Sequence, residues 1–254
     1  MMKKRLKTSL SEQNILLVFT CALLTMSWGP AFAYPAAQSK SHYGITPTAI
    51  KAPSGSAYRL FPQGKSAFDF VVSRPTMRSK RVLLCVPAAF TMHDGTVDGV
   101  CIVCGVSGRN EVNKELGGAM IVDRGRCRLL STNKGAALTK SFVNSIKTKK
   151  ASLFQQFLIV QNGRPASFRD QSNFQRRAIC ENRQGAFSLI ESEEPITFKT
   201  FNTDLAAMGM LNALYLDMGA WDEGWYRDAA SGAIVKIGLD RSRTGSQSNW
   251  LILK

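Results

Sequence analysis

The chain has 254 residues, 44% hydrophobic and 20% charged, with 33 Lys/Arg against 18 Asp/Glu for a formal net charge of +15. That length allows one substantial domain or two small ones. The positive excess favours anionic partners such as phosphorylated glycans, lipid headgroups or cell-wall polymers, and the lack of a basic-aromatic array or recognition-helix pattern argues against nucleic acid.

The first 33 residues read as a secretory signal peptide. Lys3, Lys4, Arg5 and Lys7 form a basic n-region, Ile15 to Trp28 an apolar run, and Ala31-Phe32-Ala33 a small-x-small cleavage site. The expected destination is secreted or periplasmic, with no transmembrane span left after cleavage, because the run is too short and too interrupted to cross a bilayer. A lipoprotein anchored through Cys21 is the weaker reading, since Thr20 stands where a small Gly, Ala or Ser is wanted. Removing a leader with four Lys/Arg and one Glu leaves 29 Lys/Arg against 17 Asp/Glu, near +12.

Residues 34–57, rich in Pro, Ser, Ala and Gly, read as a flexible leader, and residues 58–254 as one folded domain. Phe68–Ser73 and Arg81–Val86 have strand character. Asp94-Gly95 and Asp98-Gly99 are hairpin-turn dipeptides, and His93 and Asp94 are weaker candidates to face a ligand. Cys101 and Cys104 have CxxC spacing. On a strand over Val97–Val106 that spacing points the thiols to opposite faces, and the two histidines, His42 and His93, complete no ligand set. Small buried apolar cysteines are the better reading.

Gly117–Val122 and Cys127–Leu130 read as a hairpin, Lys134 to about Lys147 as a helix with a basic end, and Phe154–Val160 as a strand turned by Asn162-Gly163. Arg176–Cys180 and Ala186–Glu191 form a further strand pair. Thr197–Met208 is the clearest helix: Thr197 can cap it, Phe198, Phe201, Leu205 and Met208 recur at helical spacing, and Gly209 ends it. The helix delivers the chain into Leu211–Arg227, LNALYLDMGAWDEGWYR, an apolar strand closing on Asp217 and followed by a loop with Asp222, Glu223, Trp221 and Trp225. Carboxylates at a strand end beside flat aromatic faces are a common construction for sugar chemistry, although a strand-end Asp is as often a turn former. Gly232–Ile237 and Trp250–Leu253 close the domain. The expected fold class is α+β: a single domain with mixed, mostly antiparallel twisted sheets and a few packed helices.

Four segments carry a family resemblance. Phe154-Gln-Gln-Phe157-Leu-Ile-Val160-Gln-Asn-Gly163, Arg176-Arg177-Ala178-Ile179, Asn212-Ala213-Leu214-Tyr215-Leu216-Asp217-Met218-Gly219 and Ser248-Asn249-Trp250-Leu251 resemble, in order, motifs of the phosphodiester glycosidase domain family. This is the family of the uncovering enzyme, which removes N-acetylglucosamine from a phosphodiester. The chain resembles a divergent branch. Pro87-Ala88-Ala89-Phe90 lacks the family's Asn-Gly amide, Met218-Gly219-Ala220-Trp221 replaces Gly-Gly-Gly-Ser, and Cys180 replaces the Gly of the Arg motif.

The resemblance implies hydrolysis of a sugar-1-phosphodiester in an anionic glycan or glycolipid. A phosphate leaving group needs positive charge around it more than a proton. Arg176 or Arg177 can grip it, one facing the site and the other facing away, with Arg176 in the motif position. Asp217 is the expected catalytic carboxylate, Asp222 or Glu223 the second acid, and Trp221 or Trp225 the sugar-stacking ring. No cofactor is certain; a divalent cation beside the phosphate is compatible, but no ligand set is legible. The alternative function is a non-catalytic glycan-binding protein of the cell envelope.

Overall fold

The computed structural model describes residues 43–109 and 111–254. The signal-peptide reading, Cys21 and the leader through residue 42 lie outside the described residues. In chain order the elements are β1 (Thr48–Lys51), β2 (Ala57–Pro62), β3 (Phe68–Val71), β4 (Leu84–Pro87), β5 (Cys101–Val103), β6 (Val106–Arg109), β7 (Gly118–Asp123), β8 (Arg126–Ser131) and α1 (Lys140–Thr148). They continue with β9 (Ser152–Gln156), β10 (Leu158–Gln161), β11 (Arg164–Pro165), β12 (Arg177–Asn182), β13 (Phe187–Ser192), α2 (Phe198–Ala207), β14 (Met210–Tyr215), β15 (Gly224–Arg227), β16 (Ile234–Ile237) and β17 (Trp250–Leu253).

The α+β expectation is corrected. Among the described residues the two α-helices have nine and ten residues, and the architecture is β-rich, built from antiparallel sheets. The expected helix from Lys134 starts instead at Lys140. Asn133, Lys134 and Gly135 all have positive φ, which breaks any helix there, and the Thr139 hydroxyl accepts from the Phe142 N–H as the cap. The flexible leader is also corrected for its last ten residues. β1 pairs antiparallel with β2, Ile50 opposite Tyr58, so the fold begins before residue 58.

Three sheets form. The largest runs β1-β2-β13-β12-β14-β10-β11, the second β16-β15-β4-β17-β3, and the third β6-β5-β9-β7-β8. One face of each contributes to a shared core: Phe61, Leu189 and Leu214 from the first, Phe70, Leu84 and Leu251 from the second, Met120 and Phe154 from the third. The rings of Phe70 and Phe154 meet at 4.7 Å. The other face of the largest sheet carries Ala178, Cys180, Ala213 and Tyr215 under Phe198, Phe201 and Leu205 of α2. Thr197 caps that helix by accepting from the Thr200 N–H, and Gly209 leaves it at φ +87°. The third sheet packs its second face on Val143 and Ile146 of α1.

The stretch expected as one strand, Phe154–Val160, is two. β9 pairs with β5 and β7 in the third sheet, whereas β10 pairs with β14 in the first. The chain changes sheet at Phe157, and Gly118 of the third sheet lies directly against the first. A Cβ there would lie 2.5 Å from Leu214 Cδ1, 2.8 Å from Leu158 Cβ and 3.1 Å from the Gln156 carbonyl oxygen, so a close approach requires glycine. Gly118→Ala should cost about 1–3 kcal/mol through overpacking, a fall in Tm of roughly 2–12 °C. Gly117→Ala, whose Cβ would meet nothing within 4 Å, should leave Tm nearly unchanged. Thermal unfolding of the two variants by circular dichroism checks the contrast, and equal effects would contradict the junction.

Candidate functional site

β14 lies between β12 and β10, with Ala178 opposite Tyr215 and Ile179 opposite Leu214. Side chains alternate across a strand, so Tyr215 faces the α2 layer and Leu216 the inter-sheet core. Beyond β14 the backbone stays pinned. The Leu216 N–H donates to the Arg177 carbonyl at 3.0 Å, and the Asp217 N–H to the Ala88 carbonyl at 2.8 Å, tying the end of the largest sheet to the residue after β4. Asp217 is therefore held by backbone from two sheets, and its side chain is 3% exposed.

Burial pushes the Asp217 carboxyl up to about 7. The Thr91 N–H, the Gln247 side chain, the Met218 N–H and, more distantly, Arg177 pull it down without cancelling that rise. Thr91 N lies 3.4 Å from Asp217 Oδ2, and the Thr91 hydroxyl donates to Gln247 Oε1 at 2.6 Å. Asn249 brackets the Ala89 backbone, accepting from its N–H at 2.7 Å and donating to its carbonyl at 3.0 Å. Sequence reasoning missed Thr91, Gln247 and Asn249 as supports of this acid. Thr91 is 126 residues from Asp217 in sequence, and the amide beside Ala89 comes from Asn249, just before the last strand, rather than from residues 87–90.

Asp222 is 1% exposed, and its Oδ2 accepts from the Leu239 and Asp240 N–H groups at 2.9 and 3.1 Å. Gly238 leaves room for it, since a Cβ there would lie 2.5 Å from Asp222 Oδ1. Burial pushes Asp222 up to about 6, against the pull of Arg177 and the two backbone donors. Oδ1 has no hydrogen-bond partner.

The two arginines divide as strand alternation requires. Arg177, on β12, is fully buried beneath the sheet. Its Nε donates to Glu191 Oε2 at 2.7 Å, one Nη joins the same oxygen in a short contact, and that Nη also reaches the Asp222 carbonyl at 3.1 Å. Nη1 of Arg177 and Oε1 of Glu191 have no hydrogen-bond partner. Arg177 thus serves the interior rather than a ligand.

Arg176 faces the α2 side. Its guanidinium lies 3.8 Å over the Phe198 ring and donates to the Ile196 carbonyl (3.1 Å), the Tyr215 hydroxyl (3.2 Å) and the Ser172 carbonyl (2.7 Å). It borders an open cavity of about 280 Å³ walled by Phe90, Phe157, Phe174, Phe198 and Tyr215, with Asp170, Met218 and Gly219 completing the rim. Asp217 is not among the lining residues; its chain neighbours Met218 and Gly219 are.

The remaining expected residues separate from this cluster. Glu223 is paired with Arg74 (2.6 Å) and Lys236 (3.3 Å); burial acts to raise its carboxyl, but these two cations hold it below the ordinary value. Trp225 is fully buried among Val82, Cys85, Trp250 and Ile252, so it offers no face to a sugar. Trp221 is partly exposed, with the Arg243 guanidinium 5.9 Å from its ring. His93 and Asp94 occupy an exposed turn where Asp94 accepts from the Thr96 N–H and hydroxyl, and neither lines the Arg176 cavity. Among the described residues all five cysteines are free thiols; Cys101 is buried and Cys104 exposed at a turn, so the buried reading fails for Cys104. No group of three or more His, Cys, Asp or Glu side chains converges as a metal site among the described residues.

No protein-family model matches the chain, and a search of curated proteins gives no match. Solved structures do match. The catalytic domain of zebrafish N-acetylglucosamine-1-phosphodiester alpha-N-acetylglucosaminidase, described as auto-inhibited by its pro-peptide, aligns over 82% of this chain and 81% of its own with TM-score 0.55 and 11% identity. A hypothetical protein from Synechocystis aligns over 83% of this chain and 62% of its own with TM-score 0.52 and 14% identity. At these identities the likeness is one of fold.

The buried Arg177–Glu191 pair yields a test. Glu191→Gln removes the direct counter-ion of a guanidinium in the interior and should cost about 3–5 kcal/mol, whereas the double change Arg177→Met with Glu191→Leu should cost far less. Urea denaturation of the single and double variants measures both. A neutral single variant would mean that the pair carries no buried charge.

Proposed function

We propose that the chain is an exported hydrolase that cleaves a sugar-1-phosphodiester, breaking the bond between the anomeric carbon and the phosphate oxygen in an anionic glycan or glycolipid. The observation that carries this reading is the placement of Asp217. A buried carboxyl raised to about 7 stands at the end of β14, and the two residues after it border the cavity that holds Arg176. The fold likeness to a phosphodiester glycosidase supports the same reaction class.

In this reading Arg176 binds the phosphate oxygens. Ionised Asp217 either takes a proton from water attacking the anomeric carbon or stabilises the positive charge that develops there. The water oxygen bonds to the sugar, the sugar–phosphate bond breaks, and the phosphate monoester leaves as an anion. Asp222, not Glu223, is the second acid, since it is buried, raised to about 6 and shares the field of Arg177 with Asp217. Trp221 is the ring available to a sugar.

The glycan-binding alternative is favoured by one observation: Asp217 is 3% exposed and absent from the cavity lining, so turnover requires Met218 and Gly219 to yield. Asp217→Asn separates the readings. In a hydrolase it should lower kcat for release of free sugar from a sugar-1-phosphodiester by about 10²–10⁴-fold while the fold is retained. Full activity in that variant rejects the assignment. Because the ionised form of Asp217 is the active one, kcat should be low when the acid is protonated and rise as pH increases through about 7. A rate that falls over that interval would reverse the role given to it.

A further inference from the structure

The walls of the Arg176 cavity say more about the leaving group than the acids do. Phe90, Phe157, Phe174 and Phe198 contribute rings without a polar atom, and the one wall hydroxyl, that of Tyr215, already accepts from Arg176 and keeps only its O–H to offer. A sugar buried here would need a partner for each hydroxyl, and these walls supply almost none. The volume, about 280 Å³, lies at the small end of the range for ligand sites, enough for a phosphate with one ring or a short stretch of chain. Phe174 is 48% exposed and carries the aromatic wall out to the surface.

The floor of the cavity is cationic and has donors in reserve. A guanidinium has five N–H donors, and Arg176 commits three, to Ile196, Tyr215 and Ser172, leaving two. The one anionic group of the lining, the half-exposed Asp170 carboxylate, lies 3.8 Å from Arg176, beyond hydrogen-bond distance. It is held in its own turn by the Ser172 N–H (2.8 Å) and hydroxyl (2.6 Å), and these bonds keep its carboxyl below the usual value. An incoming anion therefore meets the edge of a guanidinium that is 2% exposed, beside one competing carboxylate.

We propose that this cavity takes the non-sugar side of the diester, and that this side is a phosphate carried on an apolar chain or ring, not a phosphate on a second sugar. The proposal rests on the hydrolase reading for its place in the reaction. The cavity chemistry itself is independent of turnover. Asp170 acts as the resident competitor that the ligand displaces.

Isothermal titration of the purified protein with hexyl phosphate, phenyl phosphate, glucose 6-phosphate and inorganic phosphate tests it. Hexyl or phenyl phosphate should bind about tenfold or more tightly than the other two, and the stronger of the pair distinguishes a lipid chain from an aryl group. Phe174→Ala, a change at a half-exposed ring that leaves the fold intact, should remove much of that preference. Asp170→Asn should tighten all four ligands. Glucose 6-phosphate binding as well as hexyl and phenyl phosphate, or a Phe174→Ala protein with undiminished preference, overturns the proposal. Sugar release is read separately. Selective binding of apolar phosphates by a protein that hydrolyses no sugar-1-phosphodiester rejects the hydrolase and leaves the ligand class standing. Equal turnover of diesters with sugar and alkyl leaving groups rejects the ligand class and leaves the hydrolase.

Discussion

The register between β12 and β14 is the constraint on which the rest depends. With Ala178 opposite Tyr215, every second residue of both strands faces the α2 layer and the others face the core between sheets. That one pairing sends Arg176 and Tyr215 to an open aromatic cavity and Arg177 and Leu216 to the interior. A slip of β12 by one residue would exchange the two arginines, turning Arg176 away from the cavity and removing from Glu191 its closest cation. The inter-sheet core makes such a slip prohibitive, because Ile179 would leave it if β12 moved, or Leu214 and Leu216 if β14 moved.

The same pairing explains the charge pattern of the site. Arg177 is committed to Glu191, so its guanidinium compensates buried Asp217 and Asp222 at a distance and only in part. Burial therefore dominates both acids and lifts them toward neutral pH, where a carboxylate can exchange a proton usefully. Glu223, one residue from Asp222, shows the contrast. Two direct cations, Arg74 and Lys236, hold it ionised.

Local signals in the sequence were legible where local physics decided the outcome. Thr197 and Gly209 bound α2 because a cap hydroxyl and a left-handed glycine act within a turn or two of the chain. The alternation that splits Arg176 from Arg177 was legible for the same reason. The break at Phe157 was not, since no Gly, Pro or turn residue separates β9 from β10 and it is set by which distant strand each one meets. Trp225 reads as a loop residue beside a carboxylate, but Cys85 on β4, 140 residues earlier in the chain, pairs with it and, with Lys236 across the β15–β16 hairpin, draws it into a sheet. The helix content was overread because apolar spacing alone did not register the positive-φ run at Asn133 to Gly135. Of the candidate site, Asp217 and Arg176 stand in the motifs that carry the resemblance, and Asp222 in the loop after them. Asn249 also stands in a motif, but its role of holding the Ala89 backbone was not legible, nor were Thr91 and Gln247, because these contacts join loops distant in the chain.

The ionisation of Asp217 in the free protein tests the central claim most directly. Side-chain carboxyl ¹³C resonances, followed by NMR against pH and assigned by their loss in Asp217→Asn, report its midpoint without any substrate. Burial at the end of β14 predicts a midpoint near 7. A midpoint near 4, the value of a solvated aspartate, would contradict it and remove the physical basis for placing the chemistry at this residue.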